Sequence, residues 1–180
     1  TKEPKSFIIT INAGALSPDH WTHDIEIGGG RIIGEACHFI DLMRYLSGSK
    51  IIYAQSRSMG NTDVNNITED KAVITLGFAD GSFGSINYLS NGANNFPKER
   101  VEVFVEGKVL QLDNFRKLKG FGWKSFNHLD LILQNKGLLE CSKAFLDSIR
   151  FGKASPIPLN ELIEVAETTI TVAEQIRQQK

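Results

Sequence analysis

Cysteine is scarce in this chain of 180 residues: Cys37 and Cys141 stand in apolar surroundings with no CxxC spacing. Small secreted folds stapled by disulfides need several bridges, so that class is set aside and a reduced, cytoplasmic setting is expected. A surplus of positive charge is missing as well. Twenty basic residues face 21 acidic ones, for a net charge of −1. Nucleic-acid binders concentrate cationic charge on one face, so no nucleic-acid partner is expected. The densest basic run, Arg116-Lys117-Leu118-Lys119, is followed by Phe121 and Trp123 and reads as a substrate or interdomain contact. No apolar run approaches the roughly 20 residues that span a bilayer, and no apolar signal segment follows Thr1-Lys2-Glu3-Pro4-Lys5-Ser6. No membrane partner is expected. An initiating methionine is absent and the chain runs almost directly into a strand-like segment, so Thr1 reads as the cut end of a longer protein.

Hydrophobic residues make up 41% of the chain, which suits one compact domain over 1–180. Phe7 to Ile11 is short and β-branched, and it predicts a strand. A loop of turn formers from Asn12 to Gly30 follows, ending in Gly28-Gly29-Gly30. The period then becomes helical from Arg31 to Leu46, with Ile32, Ile33, Ala36, Phe39, Ile40, Met43 and Leu46 on one face. Strands are predicted over 51–58, 71–78, 83–89, 100–105 and 109–112, with hairpins turning at Asp80-Gly81 and Glu106-Gly107. The stretch 115–133 has no clear period. Helices are predicted over 138–149 and from about Asn160, read as a cap, with Leu162, Ile163, Ala166, Ile170, Ala173 and Ile176 on the buried face. The fold class is therefore α+β: a mostly antiparallel open-faced sheet with helices packed on one face. Its uncovered face is expected to pair with another copy, with Phe83, Ile86, Tyr88, Val101, Val103 and Val105 as candidate contacts.

The first helix carries the chemistry. Opposite its apolar face, Arg31, Gly34, Glu35, Asp41, Leu42 and Tyr45 cluster around His38 on a helical wheel. Glu35 and Asp41 each stand three residues from His38, within reach of its ring. A histidine beside a carboxylate is the usual equipment for moving a proton, although the same pattern also describes a solvated helical face with paired charges. The preceding glycines leave room for a substrate near the backbone.

The run Gly28-Gly29-Gly30-Arg31-Ile32-Ile33-Gly34-Glu35-Ala36-Cys37-His38-Phe39-Ile40-Asp41-Leu42 resembles the signature of the glucose–fructose oxidoreductase/inositol dehydrogenase (Gfo/Idh/MocA) family. That signature is a triple glycine, a histidine eight residues later, an aspartate after three more and a leucine-rich helix. The downstream strand order also looks like the family's C-terminal domain, whose fold is dihydrodipicolinate reductase-like. Pro18-Asp19-His20-Trp21 and Phe96-Pro97-Lys98-Glu99-Arg100 resemble a bi-domain subgroup linked to surface-polysaccharide or nucleotide-sugar metabolism. The resemblance implies a parent enzyme whose N-terminal Rossmann domain, absent here, holds NAD or NADP, while this domain holds a sugar or nucleotide-sugar. It implies that His38 takes the hydroxyl proton, and that the domain builds a homo-dimer or tetramer through its open sheet. Many members have an aspartate where this chain has Gly34, and Glu35 is the candidate replacement. The catalytic set is thus His38, Glu35 and Asp41, and the alternative is a non-catalytic oligomerisation and ligand-binding scaffold.

Trp21 and His20 are read as a pocket wall, Arg31 as a further substrate contact, and Lys98 and Arg100 as holders of an anionic group. The triple glycine lacks GxGxxG spacing and is not read as a dinucleotide site. His20, His23 and His38 lie near Asp19, Asp24 and Asp41 but match no metal motif, so no metal is expected.

Overall fold

The computed structural model describes residues 3–60 and 69–179; Thr1 and Lys2, read above as a cut end, lie outside them. Eight strands form one sheet: β1 (Ser6–Asn12), β2 (Ile51–Ser58), β3 (Lys71–Phe78), β4 (Phe83–Leu89), β5 (Glu99–Val105), β6 (Lys108–Asp113), β7 (Lys117–Phe121) and β8 (His128–Asp130). Their order is β2-β3-β4-β1-β5-β6-β7-β8. Only the β1–β4 pairing is parallel; the others are antiparallel, as a chain punctuated by hairpins should be. Both Glu106 and Gly107 have positive φ, the conformation that a two-residue turn matched to strand twist requires.

One face of the sheet is covered. Phe7, Ile9 and Ile11 of β1 stand in register with Gly84, Ile86 and Tyr88 of β4 and with Val103, Val101 and Glu99 of β5. This row packs under α1 (Cys37–Ser47) and α3 (Leu159–Arg177). Ile32, Ala36, Phe39, Ile40 and Met43 fill the helix side of that core. At Gly84 a side chain would meet the Phe7 Cβ at 2.6 Å and the Met43 sulfur at 2.9 Å, so glycine is what lets α1 lie close to the sheet. Full burial of an aliphatic side chain contributes about 1.5–3 kcal/mol, so this row holds α1 in place. Of the six candidates for the open face, only some of which alternation could place there, Ile86, Tyr88, Val101, Val103 and Val105 belong to the covered one and Phe83 points outward. The reason is register: a β residue shares its face with its cross-strand partner, and these five share theirs with Ile9, Ile11, Phe7 and Lys108. The open face instead carries Tyr53, Phe83, Phe104 and Phe121.

Three further expectations change in detail. The helix predicted from Arg31 begins with a π-helical segment, Ile32–Ala36, before α1 proper. Helix α3 is preceded by Pro158 in extended conformation, which places Asn160 inside the first turn rather than at the cap. It docks through Val165, Thr169, Val172, Ala173 and Ile176, leaving Leu162, Ile163 and Ile170 exposed. The helix has two apolar stripes, and the one selected is the one whose polar neighbours fit the sheet: Gln175 Nε2 donates to Ala54 O, and Gln175 Oε1 accepts from Ser56 N. Helix α2 (Leu138–Arg150) flanks α1 at its start, but Leu139, Phe145, Leu146 and Ile149 stay exposed.

Candidate functional site

The segment before α1 is shaped by its own chain. A side chain at Gly28 would strike Trp21 O and Thr22 Cα at 2.5 Å, and Gly30, at φ 82, has the Glu69 carboxylate where a Cβ would stand. Arg177 of α3 secures the turn from behind, donating to Gly29 O (2.6 Å) and pairing with Glu69 (3.1 Å). The triple glycine therefore serves intramolecular packing, and its backbone is already occupied. In the π segment, the Cys37 N–H reaches Ile32 O, five residues back. Such a turn advances each residue by less than an α-helix does and rotates the side chains before it relative to those after it; π turns often mark functional sites.

That rotation separates the two carboxylates beside His38. Glu35 points into a saturated cluster. Its Oε2 accepts from Arg31 Nη2 (3.0 Å) and from the Tyr88 hydroxyl, and its Oε1 accepts from Lys98 Nζ (2.9 Å). Burial pushes the carboxyl upward, but the hydrogen bonds from Tyr88, Lys98 and Arg31 outweigh it and hold Glu35 at about 2. Burial, with the Glu35 carboxylate as acceptor, raises the Tyr88 hydroxyl above its ordinary value. Arg31 is itself buried. Its guanidinium donates to Gly14 O (2.6 Å) and Ala13 O (3.2 Å) and lies over the Tyr88 ring. Arg31 thus ties α1 to the end of β1 rather than standing on the polar face beside His38.

Asp41 stands on the His38 side. Burial raises its carboxyl, and the charge of His38 opposes that rise. His38 is exposed, and among the described residues its ring makes no hydrogen bond with Glu35 or Asp41. A pocket of about 460 Å³ opens here. Glu35, His38, Asp41 and Tyr45 line one part of it, and Glu99, Phe115, Lys136 and Cys141 another. Glu99 is buried, and its carboxylate pairs with Lys136 Nζ at 2.6 Å.

The structure thus brings Glu35, His38 and Asp41 to one pocket and sets Lys98 beside them through Glu35. It does not bring the remaining predicted residues there. His20 and Trp21 belong to a separate 3₁₀ turn packed on Gly28, with His20 Nδ1 2.9 Å from Thr22 Oγ1. His23 lines a different pocket, with Asp70, Lys71 and Ser90. Arg100 pairs with Asp113 (2.8 Å) on the open face, opposite to its neighbour Glu99. Tyr88, Glu99, Phe115 and Lys136 were missed by sequence reasoning. The alternation of β5 marks Glu99 as inward-facing, a charged residue at a core position, and that signal could have found it. Among the described residues no group of three or more His, Cys, Asp or Glu side chains could hold a metal ion, and no helix is long and apolar enough to cross a membrane.

A mostly antiparallel sheet with one parallel pair, helices on one face and a histidine on an open pocket beside the first helix defines an open-faced α+β domain. The family described as GFO/IDH/MocA C-terminal domain matches residues 3–110, and this chain belongs to that family. No curated protein matches the chain. Among solved structures it is similar to UDP-N-acetylglucosamine 3-dehydrogenase GnnA from Acidithiobacillus ferrooxidans, at 14% identity and TM-score 0.73, covering 96% of this chain and 54% of that one. The aldose-aldose oxidoreductase from Caulobacter crescentus, complexed with glycerol, is similar at 12% identity and TM-score 0.74, with 97% and 54% covered. GenD2 from gentamicin A biosynthesis, in complex with NAD, is similar at 17% identity and TM-score 0.67, with 99% and 54% covered. At these identities the likeness is one of fold. The chain spans about half the length of each of these structures.

Proposed function

We propose that this chain is a single substrate-side domain of an NAD(P)-dependent oxidoreductase acting on a hydroxyl or carbonyl of a sugar or nucleotide-sugar. The observation that carries the reading is His38: in a chain of this family, it stands exposed at the mouth of a pocket with Asp41 alongside. His38 takes the proton of the reacting hydroxyl, or returns it in the reverse direction, and Asp41 steadies the imidazolium that forms. Glu35 and Lys98 hold the helix face that presents His38. The three donors to Glu35 favour this positioning role over an acid–base one, because a carboxylate accepting from three donors is a poor proton acceptor.

The glycine-rich turn does not fit a dinucleotide. It is filled by Trp21, Thr22 and Glu69, which leaves no cradle for a pyrophosphate. The reading expects the nucleotide on a Rossmann domain elsewhere in the parent, where a nicotinamide would accept the hydride. The exposed apolar side of α2, with Leu139, Phe145, Leu146 and Ile149, supplies a surface for that companion domain, and the fragment alone is expected to be inactive. Tyr53, Phe83, Phe104 and Phe121 on the open sheet face favour a homo-dimer or tetramer, in keeping with a scaffold role beside the catalytic one. The reading keeps the expectation of a cytoplasmic protein with no membrane or nucleic-acid partner. The test is turnover of a panel of aldoses and UDP-linked aldoses by the full-length protein with NAD and with NADP. Nicotinamide reduction that falls sharply on His38→Asn supports the reading; the same rate in both proteins, or no turnover across the panel, overturns it.

A further inference from the structure

The β6–β7 connection contains an anomaly that the reading above does not use. Asn114 and Phe115 both have positive φ, 51° and 49°. The Arg116 N–H returns to Asp113 O at 3.0 Å, which closes a tight turn with both central residues left-handed. The second of these positions ordinarily holds glycine, and a bulky aromatic there is strained. The strain is locked in from several sides. Asn114 exchanges hydrogen bonds with Glu99 (Asn114 N to Glu99 O, and Glu99 N to Asn114 Oδ1, both 2.8 Å). Gln134 Nε2 donates to Asn114 O at 2.8 Å, and Asn135 N donates to Phe115 O at 3.1 Å. A residue kept in a sparsely populated conformation by this much surrounding structure is a candidate for a role in the site it faces.

The site it faces is the His38 pocket. Phe115 lines it together with Lys136 and Glu99; Lys136 Nζ lies over one face of the Phe115 ring, 5.5 Å from its centroid, while bonded to Glu99 at 2.6 Å. An aromatic face beside an ion pair that offers both donors and an acceptor matches a ring with an apolar side and hydroxyls around its edge. We propose that Phe115 is a specificity-determining residue: its ring is the platform on which the substrate's sugar ring stacks, and the Lys136–Glu99 pair holds hydroxyls at the ring's edge. The inference rests on the sugar-oxidoreductase reading and adds the residues that select the ring.

Backbone and side chain predict opposite effects of one substitution, which makes the idea testable. In the full-length protein, Phe115→Gly relieves the left-handed strain, so its melting temperature is expected to hold or rise. Affinity for the best-bound member of a panel of free and UDP-linked aldoses, measured by calorimetry on the catalytically silenced His38→Asn background, is expected to fall about three- to tenfold. Phe115→Tyr keeps the ring and should retain parental affinity. Unchanged affinity in Phe115→Gly overturns the proposal, and so does a lower melting temperature, because the ring would then be packing for the fold. Binding of no panel member to the parental protein overturns it too. The catalytic reading fails separately, if His38→Asn keeps its turnover.

Discussion

Two sides of one short helical segment differ more than their sequence separation implies. On one side Glu35 is bound by Arg31, Lys98 and Tyr88 and held strongly acidic; on the other, His38 is exposed and shares its pocket with an Asp41 whose acidity is weakened. Both line the same pocket, but across the π turn Glu35 is tied to Tyr88 of β4 and to Lys98, while among the described residues the His38 ring is left unbonded beside Asp41. A carboxylate near a histidine is thus not by itself a catalytic pair. The saturated side fixes the helix, and the unsaturated side is left free for chemistry.

The comparison can be broken first at His38. In the full-length protein, His38→Asn should lower kcat by about 10²–10⁴-fold with the melting temperature little changed, because the side chain is exposed. The next largest effect is expected on the other side. Glu35→Ala leaves the buried Arg31 without its carboxylate and should cost about 2–3 kcal/mol of stability in denaturant unfolding. Acid should expose the same interaction. Because the folded-state pKa of Glu35 is depressed from 4.5 to about 2, its contribution is present above pH 4.5 and is lost as pH falls toward 2. With its side chain 28% exposed, solvent screening brings that contribution to about 2 kcal/mol, and Glu35→Gln should flatten this part of the stability–pH curve. Asp41→Asn should slow turnover about tenfold, the equivalent of roughly 1.4 kcal/mol of charge stabilisation of the imidazolium. Lys98→Ala, which removes a half-exposed partner, should cost less than about 1 kcal/mol and sharpens the contrast with buried Arg31.

Much of the fold was legible because hydrophobic periodicity and turn chemistry agree. The strands 51–58, 71–78 and 83–89 have the predicted limits, and the apolar face of α1 is the one read from its period. The family signature around His38 was equally plain and is matched by the family found over residues 3–110. What escaped has physical causes. Strand β8 is exposed throughout, and β7 alternates only between exposed and half-buried positions, so neither carries a fully buried apolar row. The π segment has no compositional mark, so Arg31 was assigned to the wrong side of the helix. The helix α3 carries two apolar stripes, and only the positions of Gln175 and the sheet decide between them. Tyr88, Phe115 and Lys136 join the site across long sequence separations that no local pattern encodes.

The central claim is that proton transfer belongs to His38 and that Glu35 serves the fold. It is met most directly by the kcat–pH profile of the full-length His38→Asn protein between about pH 6 and 9, compared with that of the parent. The account predicts a kcat lowered by about 10²–10⁴-fold throughout that range. A near-parental kcat across it would contradict the account and reduce His38 to an ordinary residue on a helix face.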